Sequence, residues 1–177
     1  MRVIKEDIER INETITFIGD VSTGNLDEVE RFDIAELVRK QAKIFASQSV
    51  GIEVTHQAPA NQEAITNPTT VAHVLSNLLK NSIEAVRDLD GARRGTVIVR
   101  LNKSAAKHII EVEDNADGIP PEVEKKLFMQ FRTKKTGGLG IGLYYCRTIL
   151  EAQGGKITYE TTRGKGTRFI VTLPDRG

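Results

Sequence analysis

Four glycines within Gly137-Gly138-Leu139-Gly140-Ile141-Gly142-Leu143, set directly ahead of an amphipathic helix, constrain this chain more than any other stretch. Glycine tolerates backbone conformations closed to other residues and lets groups approach the main chain closely. The helix that follows is read from Gly140 to Gln153 and is stopped by Gly154-Gly155. A loop feeding a helix N-terminus offers amides and a favourable dipole to phosphate oxygens. It is not a Walker loop, because no Gly-Lys-Ser/Thr ending is present, and it is not the dinucleotide fingerprint, because no strand directly precedes it. Taken alone, the block is also compatible with a plain loop.

Two further blocks bear on that ambiguity. Asp114-Asn115-Ala116-Asp117-Gly118-Ile119-Pro120 follows an alternating segment ending in Glu111-Val112-Glu113, so Asp114 stands at a strand exit, where ligand crevices form. A carboxylate there can accept a hydrogen bond from an adenine amine, although Asp/Asn/Gly/Pro clusters mark ordinary turns as well. Upstream, His73, Asn77, Asn81 and Glu84 recur at helical spacing and share one polar face. Two asparagines four residues apart can hold a hydrated magnesium ion or phosphate oxygens; an ordinary polar face is the bland alternative.

The remaining elements follow from periodicity. Ile4, Ile8, Ile11, Ile15 and Ile18 form an a/d stripe too short to stand alone, which calls for a partner helix. Gly24-Asn25 reads as a hinge, and the main domain opens near Arg31. Asp33 with Glu36 caps one helix, and Asn67-Pro68 opens another that runs to about Asp88. A strand is expected from Val50 to His56, and hairpins from Thr96–Leu101 with His108–Glu113 and from Lys156–Thr161 with Thr167–Leu173. Pro121 to Met129 reads as a short helix. The expected fold is α+β, a two-layer sandwich with a mixed sheet and helices on one face, behind a short helical stalk.

A balance of 25 basic against 24 acidic residues gives no reason to expect nucleic acid or an anionic membrane as partner, so an anion must be bound locally. The lone Cys146 cannot form an internal disulfide and reads as a buried small residue. No apolar run approaches membrane-spanning length, and a cytoplasmic location fits, with an anchored longer parent compatible. His108 is expected on the sheet surface, His56 at a strand end, and Tyr144 and Tyr145 in packing roles.

Asn-x-x-x-Asn on a helix, Asp-x-x-x-Gly after a strand, Phe128-Met129-Gln130-Phe131, and Gly-x-Gly-x-Gly, in this order from about Arg31 to Pro174, resemble the ATP-binding domain of sensor histidine kinases. That domain shares the Bergerat-type fold of gyrase, the heat-shock chaperone and mismatch-repair ATPases. The resemblance implies an ATP and magnesium site. Asn77 and Asn81 match its first box, with Asn81 as magnesium ligand, and Asp114 and Gly118 match the box that reads adenine. Phe128 and Phe131 match the aromatic box, Thr133 and Lys135 a threonine-lysine run, and Gly138, Gly140 and Gly142 the phosphate-binding glycine box.

Residues 1–30 then stand for the end of a dimerisation hairpin and linker, and 31–177 for the kinase catalytic domain. The implied partners are a phosphoacceptor histidine hairpin, a response regulator and a second copy through the stalk. Ala116 departs from the family's usual glycine, and His73 from its glutamine or glutamate. No His-Glu-x-x-x-Pro acceptor box is present, so the chain is expected to be a fragment beginning after that histidine and not competent to phosphorylate itself alone. Rival readings are a degenerate nucleotide-binding interaction module, an anti-sigma-type serine kinase, and a gyrase-type ATPase. The last is disfavoured because Asn77 stands where such enzymes carry a glutamate.

Overall fold

The computed structural model describes residues 28–89, 94–129 and 142–176. The isoleucine stripe and most of the expected stalk, residues 1–27, lie outside that range, as do residues 90–93 and 130–141.

Five strands form the main sheet in the order β2 (Glu53–Gln57), β4 (Thr96–Ser104), β5 (Lys107–Asp114), β7 (Gly166–Pro174) and β6 (Lys156–Thr162). Only the β2–β4 pair is parallel, which makes the sheet mixed. Strict alternation sorts its two faces. Val97, Val99 and Leu101 on β4, Ile110 and Val112 on β5, and Phe169, Val171 and Leu173 on β7 are buried. The intervening positions carry ion pairs, Arg100 with Glu113 and Arg168 with both Glu111 and Glu160.

Helices cover the buried face. α1 (Ile34–Gln48) packs on β2, α2 (Pro68–Arg87) crosses β5, and α4 (Gly142–Ala152) lies against α2 and β6. The short α3 (Pro121–Glu124) follows the Asp114 turn and takes up only the first part of the stretch Pro121–Met129 expected as helix, the rest being turn. Caps stand where the sequence puts them: Asp33 Oδ1 accepts from Ala35 N at 2.9 Å, and Asn67 Oδ1 accepts from Thr70 N at 2.8 Å. Leu75, Leu78 and Leu79 of α2 are almost wholly buried, each a contribution of about 1.5–3 kcal/mol against the unfolded chain.

Three expectations are corrected. A second, two-stranded antiparallel sheet joins β1 (Glu30–Asp33) to β3 (Glu63–Thr66), in stretches that carry too few alternating apolar residues to signal strands. The strand expected from Val50 starts at Glu53, because the chain turns through Gly51 with φ +81° and leaves Val50 95% exposed. His108 is not on the sheet surface. It occupies the inward register of β5 and is completely buried.

Candidate functional site

Asp114 ends β5 on the inward face, so it faces α2 and not solvent, and it is 5% exposed. Its Oδ1 accepts from Ala116 N and from Thr167 N, both at 3.1 Å, and its Oδ2 accepts from Ser82 Oγ at 3.0 Å. Burial pushes its carboxyl above the ordinary carboxylate value. The three hydrogen bonds pull the other way, and the neighbouring Glu113 charge adds to the rise. A buried carboxylate backed by three donors is held in one orientation and can still accept from a ring amine.

The turn after Asp114 is fastened to the sheet edge. Gly164 N donates to Asp117 O at 3.0 Å, and Ile119 N donates to Thr161 Oγ1 at 2.9 Å. Gly118 sits between these ties at φ +73°, where an added Cβ would stand 2.6 Å from Thr162 O. Both the backbone angle and the close strand demand glycine. Ala116 is buried, and its amide serves Asp114. The alanine therefore does not break the turn that places the carboxylate.

Ser82 lies on α2 one residue after Asn81, so a single helix backs the carboxylate on one face and presents two asparagines on another. Asn81 Nδ2 donates to Asn77 Oδ1 at 3.0 Å. That bond commits the amide of Asn81 to its neighbour and leaves Asn81 Oδ1 as a hard oxygen donor. The donor set fits one position on a magnesium ion that keeps water and phosphate oxygens for the rest. Among the described residues, no group of three or more His, Cys, Asp and Glu could hold a metal by itself.

Gly142, the first residue of α4, closes on Asn77. A Cβ there would lie 2.4 Å from Asn77 Nδ2, so the helix after the glycine block meets the asparagine face at its start. Phe128 lies in an aromatic layer with Tyr159 at 6.0 Å and under the Arg147 guanidinium at 5.6 Å. Phe131, Thr133, Lys135, Gly138 and Gly140 lie outside the described residues.

Asn77, Asn81, Asp114, Gly118 and Gly142 thus belong to one region joined through α2. Sequence reasoning missed Ser82 and Thr167. Ser82 was detectable as a polar residue inside the buried run Leu78, Leu79, Ile83 and Val86. Thr167 acts through its main-chain amide, which no side-chain pattern reveals.

The family model for histidine kinase-, DNA gyrase B- and HSP90-like ATPases matches residues 66–177. The sensor protein TdiS of Thauera aromatica is 34% identical over 127 residues, 67% of this chain and 23% of TdiS. The C4-dicarboxylate transport sensor protein DctS of Rhodobacter capsulatus is 40% identical over 105 residues, 59% of this chain and 16% of DctS. Among solved structures, the catalytic domain of the histidine kinase ThkA, in a nucleotide-free form, superposes with a TM-score of 0.72 at 30% identity, covering 84% of this chain and 96% of that domain. The chain spans less than a quarter of either sensor protein.

Proposed function

The chain belongs to the histidine kinase-, DNA gyrase B- and HSP90-like ATPase family, and from that premise we propose that it is the Mg-ATP-binding catalytic domain of a two-component sensor histidine kinase. The observation that carries the reading is the double use of α2. Its buried side holds the Asp114 carboxylate through Ser82, and its polar side offers Asn77 and Asn81 beside the start of α4.

In this reading Asp114 accepts the exocyclic amine of adenine, with Gly118 shaping the turn beneath the base. Asn81 would hold magnesium, which when bound would supply charge neutralisation to the phosphates. Asn77 and the amides of Gly138, Gly140 and Gly142 meet the phosphate oxygens, Thr133 and Lys135 add to that set, and Phe128 and Phe131 anchor the segment between α3 and α4. An imidazole nitrogen of an acceptor histidine outside this chain attacks the γ-phosphorus, and ADP departs with the bridging oxygen. Phosphoryl transfer of this kind needs positioning and charge stabilisation more than covalent help. The phosphoryl group then passes to a response-regulator aspartate.

Residues 1–30 form the stalk and linker of a dimerising hairpin in this account, and residues 31–177 the catalytic domain, acting on the cytoplasmic side. Among the described residues, no helix is long and apolar enough to cross a membrane. Calorimetric titration with a non-hydrolysable ATP analogue and magnesium is expected to give saturable binding, and its absence sinks the nucleotide claim. Labelled ATP with a histidine-bearing hairpin added in trans is expected to mark the hairpin. Binding without transfer favours the interaction module instead.

A further inference from the structure

A buried polar network stands at the end of α2 remote from Arg87. The Asn67 side chain does two things there: Oδ1 caps Thr70 N at 2.8 Å, and Nδ2 donates to Glu28 O at 2.7 Å, in the chain just ahead of β1. Gln153, the residue after α4, completes it. Its Oε1 accepts from Thr66 Oγ1 at 2.7 Å and from Asn67 N at 3.4 Å, and its Nε2 donates to Thr70 Oγ1 at 2.9 Å. Thr66, Asn67, Thr70 and Gln153 are all at least 95% buried. The first turn of α2, the last turn of α4, β3 and the incoming chain at Glu28 are thereby fixed to one another.

We propose that Asn67 and Gln153 are positioning residues that couple the chain entering at Glu28 to the asparagine end of the candidate nucleotide site. Three observations support the path. α2 is continuous from Pro68 to Arg87, so Asn77 rides about 15 Å along the same rigid rod from its cap. α4 is tied to α2 at both ends, by Gln153 at one and by the close approach of Gly142 to Asn77 at the other. The side chains of Thr66, Asn67, Thr70 and Gln153 are buried, and such networks resist partial opening because an unpaired buried group is costly, while the Asn67 bond to exposed Glu28 is the part-buried link to the entering chain. A shift at Glu28 must therefore break the Asn67 bond or carry the cap of α2 with it.

The coupling rests on the nucleotide-binding reading, and linkage makes it measurable from either side: what the entering chain does to nucleotide affinity, nucleotide must do to the entering chain. Hydrogen exchange of the whole 177-residue chain is compared with and without a magnesium–ATP analogue, with occupancy checked by calorimetry. Saturation is expected to slow the amides of β1, Glu30–Asp33, by at least about threefold, equivalent to roughly 0.65 kcal/mol. Gln153→Ala should abolish that slowing while still binding the analogue.

Should Gln153→Ala fail to fold, Asn67→Ser serves in its place, because serine keeps an N-cap oxygen and loses the donor to Glu28 O. Bound analogue with unchanged β1 exchange in the parent, or undiminished slowing in the folded variant, overturns the coupling alone. No binding by the parent removes the functional reading and the coupling together.

Discussion

Asp114 carries opposing electrostatics within one side chain. Burial raises its pKa while Ala116 N, Ser82 Oγ and Thr167 N stabilise the charge. A folded value above the unfolded one means that the carboxyl favours the fold at low pH, and that this contribution is lost as pH rises through the folded value. At pH 7 its charge is thus a net cost to folding, which the fold tolerates at a place where charge can bind a ligand. Asp114→Asn is accordingly expected to unfold at the same urea concentration as the parent at pH 7, or a higher one. It should bind an ATP analogue about 10–100-fold more weakly, the worth of a hydrogen bond to a charged group. A variant that loses stability and keeps affinity would contradict both halves. Cys146 offers a simpler check: burial pushes its thiol up to about 12, so an aromatic disulfide reagent should label it only on unfolding. The aspartate was legible because a strand ended on it. Its serine partner stood out only as a polar residue in a buried helix stripe, and its pairing with the carboxylate was not legible, because a hydroxyl there declares no direction.

At the scale of elements, two glycines predict opposite outcomes for the same substitution. Gly118→Ala places a methyl 2.6 Å from the Thr162 carbonyl at a positive φ, and backbone on both sides cannot yield. A loss of about 2–4 kcal/mol is expected in urea unfolding. Gly142→Ala meets the Asn77 amide, the movable end of a half-buried side chain, and a stability change within about 1 kcal/mol is expected. The displaced Asn77 then gives up its bond from Asn81, so affinity for magnesium and nucleotide should fall by about tenfold although the fold persists. Equal stability losses in the two variants would refute this division. α1, α2 and both hairpins were readable because each repeats its period several times and carries its own caps or turns. The β1–β3 sheet was not. Its strands have four residues each, and their pairing depends on side chains far apart in sequence, such as Arg31 and Glu63 at 2.9 Å.

For the molecule as a whole, β5 carries a buried titratable group at each end of its inward face, Asp114 in the candidate site and His108 at the opposite end. Gln62 Nε2 donates to His108 Nδ1 at 2.8 Å, so Nδ1 is the unprotonated nitrogen and Nε2 bears the hydrogen, 3.4 Å from Asp175 Oδ1. Asp175 is also paired with Lys103 at 2.5 Å, and its amide donates to Ala106 O at 2.7 Å, which joins the C-terminal residues to the β4–β5 turn. Burial drives the His108 pKa below the ordinary imidazole value; Asp175 opposes the fall, and Lys103 adds to it. With the folded value depressed, the unfolded chain binds the extra proton first. Stability is therefore complete above about pH 6.5 and declines as pH drops toward the folded value, by at most about 1.4 kcal/mol per pH unit for this one group. Asp114 gives the reverse slope as its carboxyl titrates, so comparing the parent alone at two pH values cannot separate them. His108→Gln keeps a polar side chain for Gln62 and removes the titration. Its urea midpoint should change less between pH 7.5 and pH 5.5 than the parent's, whereas Asp114→Asn should steepen the parent's loss or leave it unchanged. If His108→Gln follows the parent across that interval, the acid sensitivity of the fold lies elsewhere and the buried histidine is only a packing residue.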